Sequence, residues 1–307
     1  MTATTKILFV FLDGVGIGGA DPDINPFARA RIPALLELMG GRLPTLDEPL
    51  TEGPGGTAFP LTATLDMDGL PQSGTGQAAL LTGQSAAEIF GRHFGPWTPV
   101  SLRPLVENQS LLRHAVTGGL DVAFANAYPR WWPGPRGGRR VAGPPLAAQG
   151  AGVFTRHQEA LESGDAVSSE IVNDGWRNEL GYERVPVVTP AEAGANLSRI
   201  ARQNDLTLYA HYSTDTAGHR GKMAGAIEAL ERVDRFVYGI LTNLDSDILL
   251  LVASDHGNIE DVTRGHTRNP VLGLARGPGS DFAGTLRDIR TVCPWVLKQM
   301  GITREGD

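Results

Sequence analysis

Apolar positions along the chain fall into two rhythms. Residues 6–12, 205–212 and 248–253 are nearly continuous apolar runs, each ending in small or polar residues. Runs of that length read as buried strands. Residues 121–128, with Val122 and Phe124, read as another. Elsewhere the spacing is helical. Residues 25–39 place Ile32, Leu35, Leu36 and Met39 on one side, with Pro33 as a candidate break. Residues 222–244 do the same with Ile227, Leu230, Val233, Val237 and Ile240 or Leu241. Helices are also expected over 102–117, ended by Gly118 and Gly119, over 190–203 and over 288–300. In the second of these, Thr189 is a cap and Pro190 the first helical residue. Residues 40–58, rich in Gly, Pro and Thr, read as loop. Helix, glycine turn and strand in succession is the rhythm of a parallel sheet with helical crossovers.

Residues 129–190 break that rhythm. The stretch 131–140 contains Trp131, Trp132, two prolines, three glycines, Arg136, Arg139 and Arg140, with Arg130 just before it, and reads as irregular. Short helices are expected around 157–163 and 168–180. The segment reads as a small inserted lobe or lid on one domain spanning 1–307. Its arginines either form a solvated loop or reach an anionic substrate.

Composition narrows the classes. A net charge of −7 argues against a nucleic-acid groove and against an anionic membrane surface. No apolar run approaches the roughly twenty residues of a membrane helix. Residues 7–12 read as a strand, cut short by Asp13, rather than as a signal peptide. The single cysteine, Cys293, allows no internal disulfide and suits a reducing compartment, taken as the cytoplasm.

The chemistry gathers at strand ends. Asp13 follows the first run, Asp215 and His219 follow the run 205–212, and Asp255 and His256 follow the run 248–253, with His266 ten residues on. In a parallel sheet the C-terminal strand ends share one edge, where ligands bind. Three Asp and three His are too many for one tetrahedral zinc, and as an uncompensated cluster they would repel. They suit two metals about 4 Å apart, a clamp for in-line displacement at phosphorus. The glycines of Asp13-Gly14-Val15-Gly16-Ile17-Gly18-Gly19 have the wrong spacing for a dinucleotide loop, and the Asp would repel phosphate. Residues 69–83 run from small polar residues into an Ala/Leu helix, which puts Ser73 or Thr75 at or just before its N-terminus. There a hydroxyl serves as a cap or as a nucleophile beside a positive dipole end. The metal-ligand context favours the nucleophile.

With those residues in place, the chain resembles the alkaline phosphatase superfamily, and in particular the metalloenzyme branch that holds cofactor-independent phosphoglycerate mutase and phosphopentomutase. The resemblance rests on residues 12–18, on Gly69-Leu70-Pro71 with the Ser73 loop, and on Asp215 with Gly218-His219. It rests most on Asp255-His256-Gly257-Asn258 followed by His266-Thr267-Arg268-Asn269-Pro270. It covers the first and last thirds of the chain. It implies a three-layer α/β sandwich with a mostly parallel central sheet. It implies one metal on Asp215, His219 and His266, a second on Asp13, Asp255 and His256, and manganese or zinc as the ion. Ser73 would bridge them as the transiently phosphorylated nucleophile, preferred to Thr75 because the family's nucleophile stands three residues before a glycine, here Gly76. Thr82-Gly83 resembles the phosphatase members.

Two departures favour hydrolysis of a small phosphoester over a mutase reaction. Gln77 stands where the mutases have His, and the inserted lobe is small for a domain that must hold and turn an intermediate. A phosphomutase is the alternative, followed by a phosphodiesterase and by a non-catalytic metal-binding protein. A sulfatase is disfavoured, because no Cys or Ser lies in a Cys/Ser-x-Pro-x-Arg context.

Overall fold

A computed structural model describes residues 5–133, 138 and 140–303. Arg136 and Arg139 of the arginine-rich stretch therefore lie outside the described residues. Seven strands form one sheet: β1 (Lys6–Leu12), β2 (Thr51–Gly53), β3 (Gly56–Leu61), β4 (Val122–Phe124), β5 (Leu206–His211), β6 (Ile248–Ala253) and β7 (Val271–Arg276). Their order is β2-β3-β7-β6-β1-β5-β4. The four strands β6-β1-β5-β4 are parallel, and β7, β3 and β2 continue the sheet in antiparallel steps. β1 is the centre: Ile7 lies beside Leu206 on one side and Leu249 on the other.

The alternation within β1 makes the layers. Ile7, Phe9 and Phe11 point to one face and Leu8, Val10 and Leu12 to the other, all buried. The first face packs on helices Ser73–Thr82, Arg103–Gln109, Leu111–Thr117, Gly143–Ala151 and Val292–Gln299. The second packs on Pro33–Leu38, Pro190–Arg202 and Lys222–Asn243. A sheet buried on both faces between helical layers is the three-layer α/β sandwich that the strand pattern and the resemblance imply.

Several boundaries differ from the sequence reading, each for a local reason. Residues 40–58 are not all loop. Thr51–Gly53 and Gly56–Leu61 form a hairpin whose second strand is paired residue for residue with β7, itself unforeseen. Local composition is overridden there by a neighbour, and Gly273 makes room for the Phe59 ring that crosses it. Residues 25–39 contain only a 3₁₀ turn, Pro26–Ala28, and a helix that begins at Pro33. The helix expected over 102–117 is interrupted at Ser110, whose side chain accepts from the Arg113 N–H and starts a new one. Over 168–180 only Asp174–Asn178 is helical, preceded by Ile171 at φ 72°. Helices Gly143–Ala151 and Ser213–Arg220 were not foreseen. The Thr189 cap is present, with Glu192 closing a capping box.

Within 129–190, Gly143–Ala151 joins the main helical layer, whereas Leu161, Ala166, Trp176 and Val185 form a small separate cluster with Ala127.

Pro190–Arg202 crosses Lys222–Asn243 at two glycines. A Cβ on Gly239 would stand on the Ala191 carbonyl oxygen, and one on Gly194 on the Phe236 oxygen. An exposed helical Gly→Ala gains about 1 kcal/mol from propensity. Overpacking against a fixed backbone costs about 1–3 kcal/mol. Gly239→Ala should therefore lower the denaturant midpoint at unchanged slope. A raised midpoint would mean that the helices separate freely.

Candidate metal centre

Asp13 leaves β1, Asp215 and His219 ride the helix after β5, and Asp255 and His256 leave β6. The order β6-β1-β5 makes these three strand ends adjacent. His256, fully buried, is the hub: its Nε2 lies 3.1 Å from Asp13 Oδ1, 3.7 Å from Asp215 Oδ1 and 3.9 Å from Asp255 Oδ2. Two three-residue groups have ligand atoms close enough to share a cation: Asp13, Asp255 and His256, and Asp215, His256 and His266. His219 adjoins the second, with Nε2 3.0 Å from His266 Nε2 and 3.5 Å from Asp215 Oδ1, on the more exposed side. Of the residues singled out in the sequence, Asp13, Ser73, Asp215, His219, Asp255, His256 and His266 all meet here.

Ser73 is the first residue of its helix, and its Oγ lies 2.9 Å from His256 Nε2 and 3.5 Å from Asp13 Oδ1. Thr75 is turned away, engaged with the Phe94 and Gln72 carbonyls. Gly76 is needed by contact: a Cβ there would approach the Asp255 carbonyl oxygen to 2.7 Å.

Second-rank contacts aim the first. His266 Nδ1 lies 2.8 Å from the Pro71 carbonyl and His256 Nδ1 3.3 Å from that of Gly257, which turns each Nε2 toward the centre. Asn258 donates to Asp215 Oδ1 at 2.6 Å. Gln77 spans two elements: its amide donates to Asp13 Oδ2 at 3.0 Å, and its oxygen accepts from the Gly143 N–H at 2.9 Å. Buried Glu260 accepts from the Gly16 and Asn258 N–H groups, the Thr267 hydroxyl and the Asn269 amide, tying the three loops together. Glu260, Asn258 and Gln77 carry no periodic signal, because their partners come from distant loops.

The electrostatics ask for cations. Burial pushes the Asp255 carboxyl up to about 8, with Asp13 adding to the shift, and burial raises Asp13 too. Burial alone would lower His256. The charges of Asp255 and Asp13 override it and push the imidazole up to about 10. Burial would likewise raise Asp215, but the His266 hydrogen bond and the charge of His256 hold it down at about 2. Asp255 Oδ2 is enclosed with no hydrogen-bond partner. Oxygen and imidazole donors converging on such an orphaned carboxylate fit a divalent-cation centre.

Above the centre lies a cavity of about 330 Å³. Asp13, Ser73, Gln77 and Asp215 form its floor. Trp97, Tyr128, Trp132 and Tyr212, none of which the sequence reading assigned to the site, reach its walls, as does Arg140, one of the arginines left open as reaching a substrate.

Comparison with known proteins gives matches in sequence and in fold. The profile of the Metalloenzyme superfamily matches residues 182–302. A 2,3-bisphosphoglycerate-independent phosphoglycerate mutase of Halobacterium salinarum is 31% identical over 135 residues, 40% of this chain and 27% of that protein. The mutase of Ruegeria pomeroyi is 35% identical over 112 residues, 33% of this chain and 22% of that protein. The match thus spans about a quarter of the length of these relatives. Among solved structures, the PH0037 protein of Pyrococcus horikoshii superposes with a TM-score of 0.60 at 13% identity, covering 99% of both chains. The alkaline phosphatase of the Antarctic bacterium TAB5 gives 0.52 at 10%, covering 98% and 99%. At such identities the likeness is one of fold. The chain thus resembles these phosphoglycerate mutases in sequence over part of its length, and the TAB5 alkaline phosphatase in fold.

Asp255→Asn removes the orphaned carboxylate while keeping an acceptor for the Gly14 N–H. The variant should melt higher than the parent when both are metal-free, and gain less on addition of Mn²⁺ or Zn²⁺. Equal gains in both proteins would show that Asp255 holds no cation.

Proposed function

We propose that this chain is a two-metal-dependent phosphoryl-transfer enzyme that hydrolyses a small phosphoester through a phosphoserine intermediate on Ser73. The carrying observation is the Ser73 hydroxyl at the start of a buried helix, 2.9 Å from the one imidazole that both ligand groups share. Asp215, His219 and His266 would hold one ion and Asp13, Asp255 and His256 the other, with manganese and zinc both suited to these donors. Ions bound there favour the serine alkoxide and neutralise the phosphoryl oxygens.

The chain's own residues then do the following. Ser73 Oγ attacks phosphorus and the bond to the leaving alcohol oxygen breaks, giving phosphoserine and the free alcohol. The N-terminal end of the Ser73–Thr82 helix favours the added negative charge. Water then attacks the phosphoserine, the Ser73 Oγ–P bond breaks, and inorganic phosphate leaves. Asp13 and His256, both within reach of Ser73 Oγ, orient it through both steps. Residues 129–190 of the single domain act as a lid: Trp132, Arg140, Ala142, Pro145 and Ser169 from that segment line the cavity.

Hydrolysis is preferred to mutation because Gln77 replaces a histidine and its amide is committed to Asp13 and Gly143. A phosphomutase is the second reading, favoured by the activity named for the relatives in Halobacterium salinarum and Ruegeria pomeroyi. The substrate is a small phosphorylated molecule, and the buried thiol of Cys293 accords with a cytoplasmic setting. Among the described residues no helix is long and apolar enough to cross a membrane.

Ser73→Ala should lose more than about 10³-fold of kcat on aryl phosphates, while metal content by elemental analysis stays at two per chain. Mass spectrometry of acid-quenched parent protein should find a phosphate on the peptide containing Ser73. Parental turnover by the alanine variant would remove Ser73 as nucleophile. Isomerisation of 3-phosphoglycerate without phosphate release would favour the mutase.

A further inference from the structure

Besides the acids, the cavity is lined by aromatic side chains. Trp97, Tyr128, Trp132 and Tyr212 contribute rings, with Pro96 and Pro145 beside them. The wall is braced from behind. The Tyr128 and Trp132 rings lie 4.4 Å apart, Phe154 packs 5.2 and 5.4 Å from them, and Phe124 stacks on Tyr128 at 6.1 Å. His157 Nδ1, 2.9 Å from the Tyr128 carbonyl, fixes the backbone there. Trp97 is set relative to the nucleophile: its carbonyl oxygen abuts Gly74 where a Cβ would stand, and the Thr75 N–H donates to Phe94 three residues earlier at 3.0 Å. Trp97 is nevertheless 40% exposed, a large apolar residue left open at the cleft.

Charge is distributed unevenly. The acids Asp13 and Asp215 occupy the phosphoryl end, and among the described residues lining the cavity Arg140 is the one cation. Burial pushes the Tyr128 phenol up to about 12 and raises the Tyr212 phenol as well, which keeps both in the uncharged form near neutral pH. A substrate with a second anionic group would be poorly matched by such a surface. A flat apolar group would bury itself and the open rings together. The volume, about 330 Å³, is at the small end of the range for ligand pockets, roughly 300–1,000 Å³, which suits one ring and a phosphoryl group.

We propose, resting on the phosphoryl-transfer reading above, that the substrate class is a phosphomonoester of an aryl or arylalkyl alcohol. Its ring lies against Trp132, Tyr128 and Trp97 while its phosphoryl group meets Ser73. The bond changes are those already given, with the aryl or arylalkyl alcohol as the leaving group.

The test uses the full metal-loaded chain with 2-phenylethyl phosphate, glycerol 3-phosphate and 3-phosphoglycerate. All three release aliphatic alcohols, so intrinsic reactivity is similar and differences report recognition. Phenylethyl phosphate should show a kcat/KM about tenfold or more above the others, carried mainly by KM. Trp132→Ala should cut that value about tenfold and the glycerol phosphate value less, with Trp132→Phe recovering most of it. In parallel, tryptophan fluorescence titration compares 2-phenylethylphosphonate with 2-hydroxyethylphosphonate, and the phenyl compound should bind more tightly. Equal kcat/KM values, or a preference for 3-phosphoglycerate, overturn the assignment while leaving phosphoryl transfer in place. If no ester is turned over but the phenyl phosphonate still binds more tightly, the aromatic recognition stands and the phosphoryl-transfer reading falls. Equal binding of the two phosphonates overturns the recognition whatever the turnover.

Discussion

Three carboxylates crowd one buried imidazole, and most of the surrounding structure follows from the need to tolerate that. Removing Asp13, Asp255 and His256 from water carries a desolvation penalty that no arginine or lysine among the described residues offsets by an ion pair. The protein shares the available proton on His256 and leaves one oxygen of Asp255 without a partner. Divalent cations held there would resolve the conflict and order the Ser73 hydroxyl in the same act. The cluster is thus a liability to folding kept for its chemistry, as strained functional sites commonly are.

The sandwich is what makes the crowding possible. Parallel strands deliver their C-terminal ends to one edge, and β1 between β5 and β6 puts three such ends within reach of each other. Burial on both faces makes these strands stiff supports, with Phe9 and Leu8 sealed on opposite sides. The loops beyond them have no such support, so Glu260 supplies it by binding four donors from the Gly16, Asn258 and Thr267 loops. Its carboxylate fills the space beside Gly16 that any larger residue would occupy.

What the sequence disclosed and what it withheld divide along the same line. β1, β5 and β6 are apolar runs long enough to stand out, and the acids at their ends could be placed on one edge by topology alone. Thr189 and Glu192 announce their helix because capping is local chemistry. β2, β3 and β7 were hidden, since Gly56, Pro60 and Gly273 argue against strands until each is seen paired with the next. In the site, the three Asp, the three His and Ser73 that the structure brings together could be singled out from spacing and from a family motif. Gln77, Asn258 and Glu260 act through partners more than forty residues distant or through folded-back loops, and no window of sequence displays that. The aromatic wall was missed for another reason: Trp132 and Tyr128 read singly as loop residues and become a surface only when Phe154 lies behind them.

Gln77 holds an acid of the centre with one end and the first residue of the Gly143–Ala151 helix with the other. A side-chain amide is rigid and planar, and hydrogen bonds tolerate little stretching. Motion of that helix therefore pulls on the Asp13 carboxylate, and reorganisation at Asp13 pulls on the helix. The placement of that helix and the alignment of Asp13 are in this way one mechanical problem rather than two, with a single uncharged side chain as the linkage rod.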